Sequence, residues 1–173
     1  MTIDFDLVKD ALEKSEEDAK HIEEIVDNIV NSCCDKLDNY IEYVVKDLLN
    51  QEDYSLTNAE LDDIIMTIPT MLYFVGTQQE KLGVKRDVSK QKRSLVFNEE
   101  LAKAEGTQGL RKAFAENKVF YETMVTYVFE NAYDIISSKV SAATEVLQSA
   151  KKIMSRRITE TELSKITPNK EKW

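Results

Sequence analysis

Side chains able to do covalent or redox chemistry are scarce in this sequence. The two cysteines, Cys33 and Cys34, are adjacent, and His21 is the single histidine. On a helix Cys33 faces the apolar seam, which favours a buried structural thiol over a nucleophile. The sequence also lacks the glycine, serine and histidine spacings of phosphate loops, nucleophile elbows and zinc peptidases. We therefore predict a protein that is not an enzyme and has no cofactor.

Four glutamates near the N-terminus are the candidate ligands for a cation: Glu16, Glu17, Glu23 and Glu24. A divalent site needs these oxygens to converge, from one loop or from facing helices. The sequence shows no such convergence, so we predict no metal site.

Basic residues are more informative, because they form two clusters. The first comprises Lys81, Lys85, Arg86, Lys90, Lys92 and Arg93, and the second comprises Lys151, Lys152, Arg156 and Arg157. On a helix, the first cluster makes two cationic stripes beside a mostly apolar side formed by Val84, Val88, Gln91 and Leu95, which we expect to face neighbouring helices. Such a helix suits contact with phosphates. The alternatives are a solvated face for the first cluster and, for the second, cations favoured by a helix C-terminus.

The net charge of -9 is unevenly distributed. Residues 1–80 hold 20 Asp and Glu against 5 Lys and Arg, a balance of -15, whereas residues 81–173 hold 12 against 18, a balance of +6. The basic half is thus the candidate for a polyanionic partner. Attraction between the two halves is the simpler alternative.

The elements that carry these residues are predicted to be helices, since only four Gly and two Pro occur in 173 residues. Apolar residues at about 3.5-residue spacing over 5–48 predict an amphipathic, coiled-coil-like helix, with a break or stutter near Lys36 and Leu37. Thr57 and Glu60 form a capping box, so the next helix should begin near Asn58. Pro69 predicts a kink or a division after Ile68.

A third helix is expected over 77–105, with Gly106 as its C-cap and Gly106–Gly109 as a turn. Residues 110–160 should then form one long helix that folds back antiparallel on the third. The predicted fold is therefore all-α, a long antiparallel helical hairpin preceded by an amphipathic helical segment. We divide the chain into an acidic N-terminal segment, 1–56, a helical core, 57–160, and a flexible polar tail, 161–173.

Aromatic side chains near the basic clusters are expected to serve packing rather than base stacking. They are Tyr73, Phe97, Phe120, Tyr121, Tyr127, Phe129 and Tyr133. The stretch 119–129 is apolar on nearly every side, which indicates a core or an oligomer contact. We find no secretory signal and no segment able to span a bilayer, so we expect a cytoplasmic protein without a membrane partner.

The order of these features resembles the recombination mediator family of tailed phages, UvsY. The resemblance covers roughly 60–160 and rests on the order of four segments. They are IPTMLYFV (68–75), QEKLGVKRDVSKQKR (79–93), FYETMVTYVFENAYDIISSKV (120–140) and SAKKIMSRRI (149–158). It implies a homo-oligomer that binds single-stranded DNA and loads a recombinase onto DNA coated by single-strand-binding protein, in the cytoplasm of an infected bacterium. Both basic clusters match basic regions of that family, whereas the acidic first 56 residues have no counterpart.

Two other functions fit parts of the sequence. A helical phage scaffold or ring component would use the long seam of 5–48 and the apolar stretch 119–129 without binding nucleic acid. An acidic decoy that mimics DNA would use the N-terminal carboxylates, but the basic half of the chain argues against it.

Overall fold

The computed structural model describes residues 5–48 and 56–166 of the chain. These residues form four α-helices and one π-helical turn, and no strand occurs among them. Helix α1 is Phe5–Tyr43, the π-helical turn is Val44–Leu48, α2 is Asn58–Lys103, α3 is Gln108–Lys118 and α4 is Phe120–Ile166. The all-α prediction is confirmed, and the change in α1 comes at Val44 instead of near Lys36 and Leu37.

Helix α2 begins where the capping box predicts. The backbone N–H of Glu60 donates to Thr57 Oγ1 at 3.2 Å, and the backbone N–H of Thr57 donates to Glu60 Oε2 at 2.6 Å. These bonds satisfy two donors that the first turn of a helix leaves unpaired. The hydrogen bond from the Thr57 backbone lowers the pKa of the Glu60 carboxyl, so the cap is formed by the charged carboxylate.

The predicted division of this region into two helices is wrong. Helix α2 runs without interruption from Asn58 to Lys103, with Pro69 inside it. Proline deprives the carbonyl four residues earlier of its hydrogen bond. Pro69 lies on the exposed side of α2, where water can solvate that carbonyl, and the buried side of the helix is uninterrupted.

The turn after α2 lies close to the predicted place. Gly106 has φ +104, a backbone conformation that side chains with a Cβ rarely adopt, but α2 ends three residues earlier, at Lys103. Arg111 of α3 donates through both Nε and a terminal nitrogen to the Leu101 carbonyl, at 3.3 and 2.8 Å. This side chain satisfies a carbonyl that the helix end would leave unpaired.

The single long helix expected over 110–160 is divided in two. Val119 separates α3 from α4 with φ -94 and ψ 15, yet its N–H still donates to the Ala115 carbonyl. The break is therefore one residue wide. At the other end α4 continues to Ile166, so the tail predicted from Thr161 begins with helix, and the rest of it lies outside the described residues.

The chain groups into two compact units, each assembled from segments that are distant in sequence. Unit 1 contains α1 up to Cys33 together with Gln78–Ile136, and unit 2 contains Cys34–Thr77 together with α4 from Ser137 onwards. The division of the chain into 1–56, 57–160 and 161–173 follows the sequence, whereas these units group segments that are distant in it. That division stays a prediction.

In unit 1, α2 and α4 are antiparallel. Their side-chain contacts join Arg93 to Thr123 and Lys90 to Glu130, so the partner number rises along α4 as the number falls along α2. The predicted return of the last long helix is confirmed by this order of contacts.

Unit 2 is held by an apolar core and by polar pairs between its helices. Leu37, Ile64 and Leu147 are buried. Tyr40 of α1 donates its hydroxyl to Asp63 of α2 at 2.7 Å, and burial together with this hydrogen bond raises the pKa of Tyr40 well above its usual range. Cys34 is fully buried and Cys33 only half-buried, so the predicted burial of Cys33 falls on its neighbour.

One series of buried positions in α2 recurs every seven residues. It comprises Leu61, Ile68, Val75, Leu82 and Ser89, with half-buried Val96 next in the series. Positions seven residues apart lie on nearly the same side of an α-helix, with a drift of about 20° per repeat. This series fixes which side of α2 faces its neighbours, and therefore which basic residues face solvent.

Candidate nucleic-acid interface

The two basic stripes of α2 have opposite surroundings. One stripe, Arg86, Lys90 and Arg93, contacts the facing helices of unit 1 and is called the inner row here. The other stripe, Lys81, Lys85 and Lys92, lies on the solvent side with Val84, Val88 and Leu95, and these six residues are called the lysine face. The candidate interface is the lysine face, because the inner row is already engaged.

Each member of the inner row has a partner in unit 1. The Arg86 guanidinium lies 4.3 Å from the centre of the Tyr133 ring. Lys90 Nζ is 2.7 Å from Glu130 Oε1. Arg93 donates from Nε to Thr123 Oγ1 at 2.7 Å and from a terminal nitrogen to Glu116 Oε2 at 3.3 Å.

Arg86 has a second partner on its own helix. Its Nε donates to Asp87 Oδ1 at 3.0 Å, and this hydrogen bond raises the pKa of the guanidinium. Asp87, the one acid within residues 81–93, is thereby paired with an arginine of the inner row. Glu80, which precedes Lys81 in the sequence, forms no ion pair with the lysines of the other stripe.

The lysine face carries positive charge that nothing in the structure neutralises. Lys81, Lys85 and Lys92 are exposed, and none of them forms an ion pair or hydrogen bond with any residue of 16–46 or 56–165. A phosphate that approaches one of these ammonium groups does not have to displace a protein partner from it. These three side chains are therefore available for an anionic partner.

The apolar residues of the lysine face overturn the predicted packing of α2. Val84, Val88 and Leu95 were expected to face neighbouring helices, but they are 64%, 58% and 63% exposed. The buried side is instead the Leu82 and Ser89 series. Gly83 adjoins that side, where a Cβ would come within 3.4 Å of the Tyr133 ring.

A sequence signal for this orientation exists in the seven-residue series itself. Extending Leu61, Ile68, Val75 and Leu82 by seven residues reaches Ser89 and then Val96. A serine and a nearby arginine obscure the series, whereas Val84, Val88 and Leu95 form a more apolar row. Continuity with the upstream helix, not local apolarity, decides the packing here.

The second basic cluster also divides into engaged and unengaged cations. Lys151 and Lys152 of α4 are exposed and pair with no described residue. Arg156 forms an ion pair with Glu160 at 2.7 Å, and Arg157 donates to Asn58 Oδ1 at 2.9 Å. The second cluster therefore supplies two unengaged cations, and it lies in unit 2 whereas the lysine face lies in unit 1.

Several aromatic residues assigned to packing are exposed instead. Phe120, Tyr121 and Tyr127 are more than half exposed, whereas Phe129 and Tyr133 are half-buried. Leu110 and Phe114 of α3 are exposed as well.

Other kinds of site find no support in the described part of the chain. Among the side chains of 16–46 and 56–165, no three His, Cys, Asp or Glu approach one another closely enough to hold a metal ion. Among the same residues, no helix combines the length and the apolar character required to cross a bilayer.

No protein-family model, no curated protein and no solved structure matches this chain.

Proposed function

We propose that this protein binds single-stranded DNA through the lysine face and acts without catalysis, as a recombination mediator. The observation that supports the proposal most is the set of three exposed lysines, Lys81, Lys85 and Lys92, with no acidic partner in the described structure. Surfaces normally mix both signs of charge, and an unpaired cationic side of one helix matches the spaced charges of a nucleic-acid backbone.

Affinity would come mainly from phosphates. A lysine that neutralises a phosphate releases counterions, and for single strands the slope of log K against log salt is about -0.7 per contact. Three lysines predict a contribution to this slope of about -2 by the same arithmetic. Val84, Val88 and Leu95, which lie beside the lysines, would contact the sugars without selecting a sequence.

A single lysine face gives weak binding, so the proposed function includes a homo-oligomer. Linking several weak sites raises their combined affinity without any new contact. Lys151 and Lys152 are proposed as auxiliary phosphate contacts. Arg86, Lys90, Arg93, Arg156 and Arg157 are now assigned to intramolecular contacts.

The mediator role rests on the resemblance of residues 60–160 to the UvsY family. It would require contacts with a recombinase and with a single-strand-binding protein in the cytoplasm of an infected bacterium. In this role the protein holds the strand by its backbone, which leaves the bases free for a recombinase. No side chain has to act as an acid, a base or a nucleophile.

The test is fluorescence anisotropy of a labelled oligo-dT strand against the protein in a salt series. We expect binding that weakens steeply with salt, and at least a tenfold loss of affinity for the variant K81Q/K85Q/K92Q. The matched control is K112Q/K118Q/K165Q, which removes three exposed lysines elsewhere and should bind like the parent protein. Absence of binding at low salt, or equal losses in both variants, would contradict the proposal.

A helical assembly protein that does not bind nucleic acid is the second candidate. It is favoured by the exposed apolar side chains of unit 1 outside α2, namely Leu110, Phe114, Phe120 and Tyr121. Large apolar side chains left in water commonly mark a contact with another protein. Salt-independent oligomers together with no binding to oligo-dT would favour this candidate.

A further inference from the structure

Helix α1 presents a strongly acidic side to solvent. Within residues 16–27, the exposed acids outnumber the single basic residue, Lys20, by six to one. They are Glu16, Glu17, Asp18, Glu23, Glu24 and Asp27. None forms an ion pair with another residue of the described chain, so this acidic side, like the lysine face, is uncompensated.

The two uncompensated surfaces match in spacing as well as in sign. Glu17 and Glu24 are seven residues apart on the outward side of α1, and Lys85 and Lys92 are seven residues apart on the outward side of α2. Seven residues correspond to about 10.5 Å along a helix. Two helices laid side by side can therefore form both ion pairs at once.

Apolar side chains beside the lysines give the contact more than charge. Val84, Val88 and Leu95 are exposed in the structure, and Ile25 of α1 is partly exposed next to Glu24. A helix docked on the lysine face would cover these side chains. Exposed ion pairs alone contribute little to association, so the apolar strip favours a docked helix over a loose charge contact.

No ion pair or hydrogen bond joins the two surfaces among the described side chains of one copy. Both belong to unit 1, where α1 buries Val26 and Val30 and α2 buries Leu82 and Ser89. The acidic side of α1 and the lysine face lie on the exposed sides of these helices. Every copy of the chain carries both surfaces, so a second copy always offers an acidic side to the lysine face of the first.

We propose that the lysine face of one copy is covered by the acidic side of α1 from a second copy. The contact joins two different surfaces, so an open assembly keeps one free lysine face and one free acidic side, and copies add until a ring closes or a filament grows. A strand of DNA that uses the lysine face would compete with this contact, so copies that share one strand have to be held together by other surfaces. The competition rests on the proposed function, whereas the self-association does not.

The test is the sedimentation of the protein alone, with charge-reversed variants of each surface. One variant is K81E/K85E/K92E and the other is E17K/E24K/D27K. We expect the parent protein to associate, and each variant by itself to associate at least tenfold more weakly. K151E/K152E is the control, since it reverses two exposed charges of unit 2, which contributes residues to neither surface, and it should associate like the parent protein.

Mixing the two reversed variants separates this contact from a general effect of net charge. The unaltered acidic side of the first variant complements the unaltered lysine face of the second, and the two reversed surfaces complement each other. We expect the mixture to regain association that neither variant shows alone. Helical circular dichroism of each variant checks that both remain folded before they are mixed.

Two results would overturn the proposal: a parent protein that stays monomeric at low salt, or a mixture that associates no better than its components. Oligo-dT is then added to the parent protein. Dissociation of the oligomer supports the competition, whereas DNA binding to an intact oligomer overturns the competition alone. A protein that associates as expected but never binds oligo-dT would contradict the proposed function and leave the self-association standing.

Discussion

The inner row and the lysine face are two regions of one helix with the same kind of charge and different roles. Arg86, Lys90 and Arg93 contact Tyr133, Glu130 and Thr123 within unit 1. Lys81, Lys85 and Lys92 contact no described residue. A basic cluster in a sequence is therefore not one surface. Helical phase divides it into cations that hold the fold together and cations that remain for a partner.

The largest expected effect concerns the orientation of α2 itself. Leu82 is 5% exposed and Val88 is 58% exposed. We expect Leu82→Ala to lower the free energy of unfolding by about 3 kcal/mol, because it removes buried methyl groups and leaves a cavity. Val88→Ala should change it by less than about 0.5 kcal/mol.

Urea denaturation of both variants measures this difference. Equal losses, or a larger loss for Val88→Ala, would mean that the helix packs by its more apolar row. The assignment of the lysine face to solvent would then be wrong.

The second prediction concerns the stability that the inner row provides. The variant K90E/R93E breaks the contacts with Glu130 and Thr123 and places carboxylates beside Glu130 and Glu116. We expect a loss of about 2 kcal/mol, because hydrogen bonds to charged groups are lost and like charges approach one another. Urea denaturation again gives the measurement.

The matched control is K85E/K92E, which changes the net charge by the same amount on the opposite side of α2. It should unfold at nearly the urea concentration of the parent protein. A similar loss in both variants would show that overall charge, rather than contacts within unit 1, determines the stability.

A smaller effect is expected from two glycines of α2. An added Cβ at Gly76 meets nothing within 4 Å, whereas at Gly83 it comes within 3.4 Å of Tyr133. Replacing a helical glycine by alanine stabilises a helix by about 0.5–1 kcal/mol when the site has room. We expect this full gain for Gly76→Ala and a smaller gain for Gly83→Ala.

Thermal unfolding followed by circular dichroism resolves the two glycine variants. A larger gain at Gly83 than at Gly76 would contradict the close approach of α2 to Tyr133. The same approach places the Arg86 guanidinium on the Tyr133 ring, so the glycine pair also tests the packing of the inner row.

Two kinds of sequence signal predicted the fold well. The capping box of Thr57 and Glu60, which acts over one helical turn, predicted the start of α2. The scarcity of glycine and proline in the whole composition predicted the all-α fold class. The division predicted at Pro69 was wrong, because a proline on the exposed side of a long helix costs little when tertiary contacts hold the other side. The kink stays a prediction.

The candidate site was predicted only in part, for a reason that lies in helical phase. Position within the sequence gave both stripes of α2 correctly, but local apolarity pointed to Val84, Val88 and Leu95 as the packed side. Phe120 and Tyr121, which were assigned to packing, are likewise exposed. A wrong choice of the inward side of a helix exchanges buried and exposed residues but leaves the first and last residues of the helix unchanged. Capping residues and helix breakers therefore cannot reveal such an error.

The central claim is that the lysine face binds DNA and the inner row holds the fold. The most direct measurement compares K81Q/K85Q/K92Q with R86Q/K90Q/R93Q, which remove equal charge from opposite sides of α2, in a salt series of oligo-dT binding and in urea denaturation. We predict that the first variant reduces the salt slope by about 2 and unfolds like the parent protein. The second should unfold at lower urea and, while folded, keep most of the slope. Equal loss of slope in both variants, or loss of stability in the first alone, would contradict the claim.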